Sequence, residues 1–313
     1  MSQPIPPELT GQIFLADPLL ADTLSLLRKI AQADVHCLIW GESGSGKNLF
    51  AYLSHCLGPR RDGPYVEISC SALPDLLVES ELFGYVRGAF TGAAADHPGR
   101  LGQADQGTLV LDELDCLSPA AQAKLLRVVE LGRFTPMGGQ VEKILRIRCV
   151  GLTQADPSVL VSRGVLREDL FYRLALFSLE VPPLRAYLSR LPELAAFLAV
   201  NEARRHRAEP VRIAPETLQA MSSHPFPGNV RELLNVIRRW TLLYPGASIS
   251  PAEIPPELRP DMPPPALRTL AEVEREHIRR ALAQAGGRKG EAARLLGIHR
   301  KTLLEKRKRY GLD

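Results

Sequence analysis

A glycine-rich segment of seven residues, GESGSGK at 41–47, constrains the fold of this 313-residue chain more than any other feature. The segment follows the apolar run 35–40, which has the pattern of a short buried strand, and it precedes a stretch with helical periodicity. Glycines at such a junction let backbone N–H groups curl around phosphate oxygens, and the N-terminus of the following helix adds partial positive charge. The segment therefore predicts a phosphate-binding loop.

An acidic pair ends a second apolar run. The run 108–111 has the pattern of a strand, and Asp112 and Glu113 follow it directly. With a phosphate loop upstream, Asp112 is predicted to hold Mg²⁺, and Glu113 is predicted to orient and deprotonate the water that attacks ATP. The pair therefore predicts that the bound nucleotide is hydrolysed.

The order of the predicted elements indicates the α/β fold class. Further strands are predicted at 65–68 and 147–152 with helices between them, and this alternation indicates a parallel sheet with helices on both faces. Residues 188–245 carry helical periodicity only, which predicts a small all-α bundle. The stretch 251–265 contains seven prolines and is predicted to be a semi-rigid linker before a final helical module. The predicted domains are 1–184, 185–250, 251–267 and 268–313.

Charge is distributed unevenly along the chain. The net charge is +4, but residues 268–313 hold 13 Lys/Arg and 6 Asp/Glu, so this tail carries +7 and the rest −3. A basic tail on a mildly acidic body indicates a module that binds double-stranded DNA or another nucleic acid. The five scattered cysteines, never spaced Cys-x-x-Cys, are typical of reduced thiols in a cytoplasm. No apolar run reaches the roughly 18 residues that span a membrane, so no membrane partner is expected.

The hexapeptide GAFTGA at 88–93 lies between the phosphate loop and the acidic pair. The three motifs in this order resemble the AAA+ activators of the bacterial RNA polymerase that carries sigma-54. The resemblance implies an AAA+ core with a P-loop parallel sheet and an all-α lid over about residues 8–250, followed by a Fis-type helix-turn-helix. It also implies that the hexapeptide contacts the sigma factor. The implied contact residues are Gly88, Ala89, Phe90, Thr91, Gly92 and Ala93.

The resemblance further implies a homo-oligomeric ring, a hexamer, in which subunits share nucleotide sites. Arg167 and Arg173 match finger arginines that project into the neighbouring subunit's site, where their planar charges spread over the phosphate oxygens in the transition state. Arg231 matches a lid residue that contacts the γ-phosphate, and Gln154 stands where the family's first sensor is commonly Asn. The implied catalytic residues are Ser69, Asp112, Glu113, Gln154, Arg167 and Arg173. The implied nucleotide-binding residues are Gly41, Glu42, Ser43, Gly44, Ser45, Gly46, Lys47, Asn48 and Arg231.

Several positions depart from the family pattern. Asn48 stands after the loop lysine, where the family usually has Glu, so Mg²⁺ is expected to depend on water and on Asp112. Ser69 stands where the family usually has an Asn that restrains the catalytic Glu, so the control of Glu113 is expected to differ. Phe226 replaces the usual Trp before the Pro-Gly-Asn of the lid.

The tail resembles the Fis-type helix-turn-helix that ends many sigma-54 activators. Apolar positions on 286–304 are spaced for two helices that meet across a glycine turn. The second helix, about 300–310, is predicted to enter the major groove, with its first residues nearest the bases and its later basic residues on phosphates. His299 replaces the family's usual Ser cap. The predicted DNA-contacting residues are His299, Arg300, Lys301, Thr302, Lys306 and Arg307.

Two functional hypotheses remain open from the sequence. In the first, the chain is an ATP-driven activator that remodels sigma-54 RNA polymerase from DNA bound upstream. In the second, it is a DNA-binding regulator with weak ATPase activity that acts only in mixed rings, which Ser69, Asn48 and Gln154 favour. Because the predicted core begins almost at Met1, no N-terminal sensing domain is expected, and control is expected from abundance, a partner protein or a co-activator subunit.

Overall fold

A computed structural model describes residues 18–72, 75–258, 278, 281–282, 285, 288–298 and 300–310. The chain divides into two compact units, Met1–Leu258 and Arg259–Asp313. The domain boundaries at 184, 250 and 267 stay predictions. No helix within the described ranges is both long and apolar enough to cross a membrane.

The first unit opens with alternating strands and helices, as the sequence predicts. Its strands are β1 (Cys37–Trp40), β2 (Tyr65–Ser69), β3 (Thr108–Asp112), β4 (Arg133–Phe134), β5 (Lys143–Ile144), β6 (Arg148–Thr153) and β7 (Ser178–Glu180). Its helices over the same part are α1 (Pro18–Gln32), α2 (Lys47–Cys56), α3 (Asp75–Phe83), α4 (Gly99–Gln103), α5 (Pro119–Leu131), α6 (Pro157–Ser162) and α7 (Glu168–Leu174).

Five of these strands form one parallel sheet in the order β2-β3-β6-β1-β7. The register sets Ser69 beside Asp112 and Trp40 beside Thr153. The carboxyl ends of β2, β3, β6 and β1 therefore lie side by side along one edge of the sheet. In open parallel sheets, ligands bind at this edge. Strands β4 and β5 form a separate antiparallel hairpin, which the sequence analysis did not predict.

The sheet is apolar on both faces, and this explains the continuous apolar runs in its strands. Neighbouring residues of one strand enter different cores: Ile39 packs into one buried cluster and Leu38 into the other, and Val110 and Leu111 divide in the same way. Helix α1 covers the face that carries Ile39 and Val110, and it does so with the apolar stripe predicted from its spacing. The buried residues of that stripe are Leu20, Leu24, Leu27 and Ile30.

A helical lid follows the sheet. After the 3₁₀ segment Leu184–Arg190 come α8 (Leu191–His206), α9 (Pro215–Met221) and α10 (Asn229–Leu243). The predicted helical bundle is therefore confirmed, with one addition: β8 (Arg212–Ile213) and β9 (Ser248–Ile249) form a two-residue parallel pair. Phe226, at the position where the family usually has Trp, is fully buried in the core that the lid shares with the sheet.

Trp240 is the largest fully buried side chain of the lid, and its loss is expected to destabilise the first unit strongly. The side chain is 1% exposed, and its indole Nε1–H donates to the Glu253 carbonyl over 2.9 Å. Trp240→Ala removes the buried ring and leaves that carbonyl without its donor, so the free energy of unfolding should fall by about 3–5 kcal/mol. Urea unfolding followed by circular dichroism measures this. Leu242→Ala, at a site that is 55% exposed on the same helix, is the control and should change the unfolding free energy little.

The second unit contains a helix pair in its described residues. Helix α11 (Lys289–Leu295) is followed by a turn in which Gly297 has φ 64°, and α12 (Arg300–Tyr310) comes next. A left-handed glycine ends a helix without steric cost, so the chain can turn sharply here. Ala292, Ala293 and Leu303 are buried together in a small core, which matches the predicted spacing.

Candidate functional site

The phosphate-loop segment 41–47 connects β1 to α2 at the carboxyl edge of the sheet. Gly41, Gly44 and Gly46 have φ values of 151°, 76° and 104°, which are conformations that other residues adopt only with strain. A Cβ on Gly44 would lie 2.3 Å from the Gly228 carbonyl of the lid, so glycine is also required there by the close approach of two backbones. The glycine pattern thus serves both the turn and the packing of the lid on the loop.

Lys47 points into the loop. Its ammonium donates to the carbonyls of Gly41 at 2.7 Å and Glu42 at 3.1 Å. Burial lowers the pKa of this ammonium, while the nearby Asp112 carboxylate opposes the shift. The hydroxyl Oγ of Ser45 is also buried, without a hydrogen-bond partner among the described residues. An anion with several oxygens would provide the acceptor that this donor needs.

Asp112 ends β3 beside the first turn of α2. The Asn48 amide donates to Asp112 Oδ2 over 3.0 Å and to Glu67 Oε1 over 2.5 Å, so it links two carboxylates on neighbouring strands. Asn48 and Asp112 are predicted site residues, whereas Glu67 is a contact that the sequence did not reveal. Glu67 is a polar residue within a predicted strand, and a strand pattern does not reveal which residue of another element lies beside it.

Glu113 is held next to Asp112 in a left-handed conformation, with φ 56° and ψ 49°. Its backbone N–H donates to Asp112 Oδ1 over 3.0 Å. Its carboxylate Oε2 accepts a hydrogen bond from Ser69 Oγ at 3.3 Å and a second one from Ser71 Oγ. Ser69 therefore contacts Glu113, as the resemblance implied for this position, and Ser71 is a further contact that the sequence analysis did not name.

Gln154 follows β6 and is exposed at the same edge of the sheet. The carbonyl of the preceding residue, Thr153, accepts a hydrogen bond from Gly41 N–H over 3.3 Å, so the end of β6 adjoins the start of the phosphate loop. The structure thus brings four strand ends together, carrying the loop, Ser69, the acidic pair and Gln154.

The lid contacts the phosphate loop through the start of α10. Arg231 donates from its side chain to Ser43 Oγ at 2.9 Å, and its backbone N–H donates to Gly44 O at 3.3 Å. Glu42 forms a two-bond ion pair with Arg185, and this pair, helped by Asn229, lowers the pKa of Glu42 to about 2. Arg185 and Asn229 are functional candidates that the sequence analysis missed.

The two predicted finger arginines are both exposed: Arg167 is the N-cap residue of α7, and Arg173 lies within that helix. Arg167 pairs with Asp169 at 2.7 Å, and Arg173 donates to the Glu130 carbonyl at 3.4 Å. Two large apolar side chains of the same segment are also exposed: Tyr172 is 70% exposed and Leu176 is 65% exposed. A surface that combines exposed apolar side chains with arginines is typical of a protein–protein contact.

The hexapeptide 88–93 forms a closed loop tip. Gly88 N–H donates to the Ala93 carbonyl at 2.9 Å, and Ala93 N–H donates to the Phe90 carbonyl at 3.0 Å. Phe90 packs edge-on against Tyr85 with ring centroids 4.9 Å apart, yet 44% of its surface stays exposed. Thr91 is exposed at the tip. The loop therefore presents a phenyl ring and a threonine on a hydrogen-bonded base.

In the second unit, Arg300 begins α12, and Lys301 and Thr302 follow in its first turn. Lys301 is exposed, and Thr302, Lys306 and Arg307 are half-buried. The predicted helix is confirmed in its bounds, whereas the predicted cap, His299, lies outside the described residues.

Comparison with known proteins gives three matches in chain order. The Sigma-54 interaction domain family matches residues 13–180, the AAA+ ATPase lid domain family matches 189–269, and the Fis family of bacterial regulatory proteins matches 269–310. The chain belongs to the sigma-54 interaction family. As a sigma-54 family member it has the AAA+ core, lid and helix-turn-helix that the sequence resemblance implied, and these predictions are confirmed.

Relatives of this sigma-54 family chain are similar over most of its length. The Nif-specific regulatory protein of Azotobacter vinelandii is 39% identical over 289 residues, which are 90% of this chain and 55% of the relative. The regulator NtrC of Rhizobium meliloti is 38% identical over 326 residues, which cover 92% of this chain and 67% of the relative. The crystal structure of NtrX from Brucella abortus in complex with ADP superposes with a TM-score of 0.72 and 26% identity, covering 94% of this chain and 68% of that one. The chain therefore spans about half to two thirds of the curated relatives.

Proposed function

We propose that this chain hydrolyses ATP in a ring of identical subunits and uses the 88–93 loop to open promoters bound by sigma-54 RNA polymerase, while its tail holds upstream DNA. The observation that carries the proposal is the joint presence, in one unit, of the GAFTGA tip and a sheet edge with the phosphate loop and acidic pair. The family membership and the relatives crystallised with ADP and with ATP support the same function.

ATP would bind with its phosphates on the backbone N–H groups of the loop. Lys47 would exchange its two loop carbonyls for phosphate oxygens, since a buried ammonium gains more from anionic than from neutral acceptors. Ser45 would supply its unpartnered hydroxyl, and Arg231 would reach the terminal phosphate from the lid. The remaining loop residues would form the walls of the phosphate cradle.

The residues at the strand ends fit Mg²⁺. Magnesium usually keeps several waters and binds through one or two carboxylates plus substrate phosphates, and Asp112 offers such a carboxylate beside the loop. When bound, the ion would neutralise charge that develops on the phosphates. Asn48 would hold the Asp112 carboxylate in place through its amide, which is a role that a hydroxyl could not fill across the same distance.

Glu113 would act as the general base for the attacking water, and Gln154 would sense the terminal phosphate from the neighbouring strand. The hydroxyls of Ser69 and Ser71 orient the Glu113 carboxylate through hydrogen bonds to Oε2. These two hydrogen bonds occupy Oε2 and leave Oε1 as the oxygen that would accept a proton from water. Ser69 and Ser71 would therefore hold the base in this orientation until the site is complete.

The finger arginines would act on the next subunit's nucleotide. Arg167 at the start of α7 and Arg173 within it are exposed, as are Tyr172 and Leu176 of the same segment, so a second copy that covers this surface would receive both guanidinium groups. A guanidinium stabilises the transition state of phosphoryl transfer by spreading charge over its oxygens. The ring is thus proposed as the active state, with hexameric assembly carried over from the resemblance.

The loop tip and the tail would provide the contacts with partners. Phe90 and Thr91 are the exposed features that a sigma factor would meet. In the tail, Arg300, Lys301 and Thr302 would lie nearest the base edges, and Lys306 and Arg307 would meet phosphates. A partner protein or co-activator subunit stays a proposal for how the activity is controlled.

The concentration dependence of ATPase activity distinguishes this function from that of a DNA-binding regulator with weak turnover. Activity per chain should rise with protein concentration, because each site needs an arginine from its neighbour. Arg167→Ala should lower turnover by roughly 100-fold or more while ATP binding is retained. Arg163→Ala, at an exposed arginine before α7, is the matched control and should keep wild-type turnover. Constant turnover per chain at all concentrations would contradict the shared site.

A further inference from the structure

Glu42 receives hydrogen bonds from two separate segments of the lid. The Arg185 guanidinium donates to both of its carboxylate oxygens, at 2.7 and 2.5 Å, from the 3₁₀ segment that leads into the lid. The Asn229 amide donates to Glu42 Oε2 at 3.1 Å from the first residue of α10. These contacts join residues that are 143 and 187 positions apart in sequence.

Burial and several hydrogen bonds hold Asn229 in place. It is fully buried, its φ of 53° is left-handed, and its Oδ1 accepts from Leu184 N–H at 2.8 Å. Its amide also donates to the Ser43 carbonyl at 3.0 Å. Asparagine tolerates this backbone conformation better than most residues. Asn229 therefore holds the residue before Arg185 and the phosphate loop in one fixed arrangement.

The charge of Glu42 gives this arrangement a functional consequence. Glu42 is the second residue of a loop that must accept a polyanion, and a free carboxylate at that position repels phosphate oxygens. The paired guanidinium cancels that charge in a bidentate geometry that lysine cannot reproduce. The side chains of Arg185 and Glu42 are 47% and 41% exposed, so the pair contributes little to folding stability itself.

We propose that Arg185 is a positioning residue for nucleotide binding: from the entry to the lid, it neutralises Glu42 and so lets the phosphate loop accept a nucleotide. This inference rests on the proposed ATP binding and adds a residue that acts through Glu42 rather than by touching the nucleotide. Asn229 sets the position from which Arg185 acts. The lid thus contributes to phosphate binding by a second route besides Arg231.

If Arg185 acts by neutralising Glu42, removing the Glu42 charge should restore ADP affinity to an Arg185 variant. If Arg185 only links the lid to the loop, it should not. Arg185→Gln should weaken ADP binding about tenfold, because it leaves an unpaired carboxylate beside the phosphates. Adding Glu42→Gln to that variant removes the unpaired charge and should recover most of the lost affinity. Arg185→Lys should lose less ADP affinity than Arg185→Gln, because lysine retains the positive charge although it cannot form the bidentate pair. A tether would instead give a double variant that binds ADP no better than Arg185→Gln.

Isothermal titration of ADP into the full chain, with wild type and the three variants, measures these affinities. The control is Arg190→Gln with Glu193→Gln, which removes an ion pair of 3.2 Å on the same 3₁₀ segment and start of α8 and should leave ADP affinity unchanged. Thermal unfolding without nucleotide should be nearly equal for all variants. Unchanged affinity of Arg185→Gln, or no recovery in the double variant, would overturn this inference alone. A wild type that does not bind ADP would overturn the proposed function and the inference with it.

Discussion

Glu113→Gln should reduce ATP turnover by about 100-fold to 10,000-fold while leaving ATP binding intact. General-base catalysis contributes an acceleration of that size, and the amide that replaces the carboxylate cannot accept the proton. The substitution preserves the shape of the side chain, and the amide oxygen can still accept hydrogen bonds from Ser69 and Ser71. Phosphate release from a single turnover, compared with the binding of a fluorescent ATP analogue, separates the two effects.

A surface carboxylate provides the control for this experiment. Glu216→Gln makes the same chemical change at an exposed position of the lid helix α9 and should leave both turnover and binding unchanged. If Glu113→Gln keeps wild-type turnover, the attacking water is activated by another group, and the role given to the acidic pair is wrong.

Thr91→Ala should retain ATPase activity and ring formation but reduce open-complex formation at a sigma-54 promoter by at least about 30-fold, the effect of losing a central contact residue of an interface. Thr91 is exposed at the tip of a loop whose base is closed by its own hydrogen bonds, so removing its hydroxyl and methyl should not disturb the sheet edge. ATPase assays and promoter opening, measured on the same preparation, test the separation of the two activities.

Ala95→Ser is the control, because it adds only a hydroxyl to a small exposed residue just outside the hexapeptide. It should support both ATPase activity and promoter opening at wild-type levels. Full promoter opening by Thr91→Ala would mean that the tip does not contact the polymerase, and a joint loss of ATPase activity would mean that the loop acts on the nucleotide site.

The sequence predicts the elements of the site well because their signals are local. The glycines at 41, 44 and 46 have left-handed or otherwise glycine-like φ values, and the apolar run before Asp112 needs only its own residues to specify a buried strand. The helix at 300–310 and the buried stripe of α1 follow in the same way from periodicity. These features could be predicted because each depends on one segment alone.

The residues that the sequence did not reveal take part in contacts between distant segments. Glu67 matters through Asn48, because the packing of α2 on the sheet brings the Asn48 amide to its carboxylate. Ser71 lies two residues beyond the end of its strand and contacts Glu113, 42 positions away. Arg185 contacts Glu42 only because the lid folds back onto the loop. Spacing within a segment carries no information on such pairings, which depend on sheet register and lid packing.

ATP hydrolysis at this sheet edge is proposed to drive promoter opening through the 88–93 loop. The most direct test is open-complex formation by sigma-54 RNA polymerase on a promoter with the full chain present, detected by the reactivity of unpaired thymines. Wild type with ATP should open the promoter, whereas wild type with a non-hydrolysable analogue and Glu113→Gln with ATP should both leave it closed. Opening by Glu113→Gln, or a closed promoter with wild type that hydrolyses ATP normally, would contradict the account.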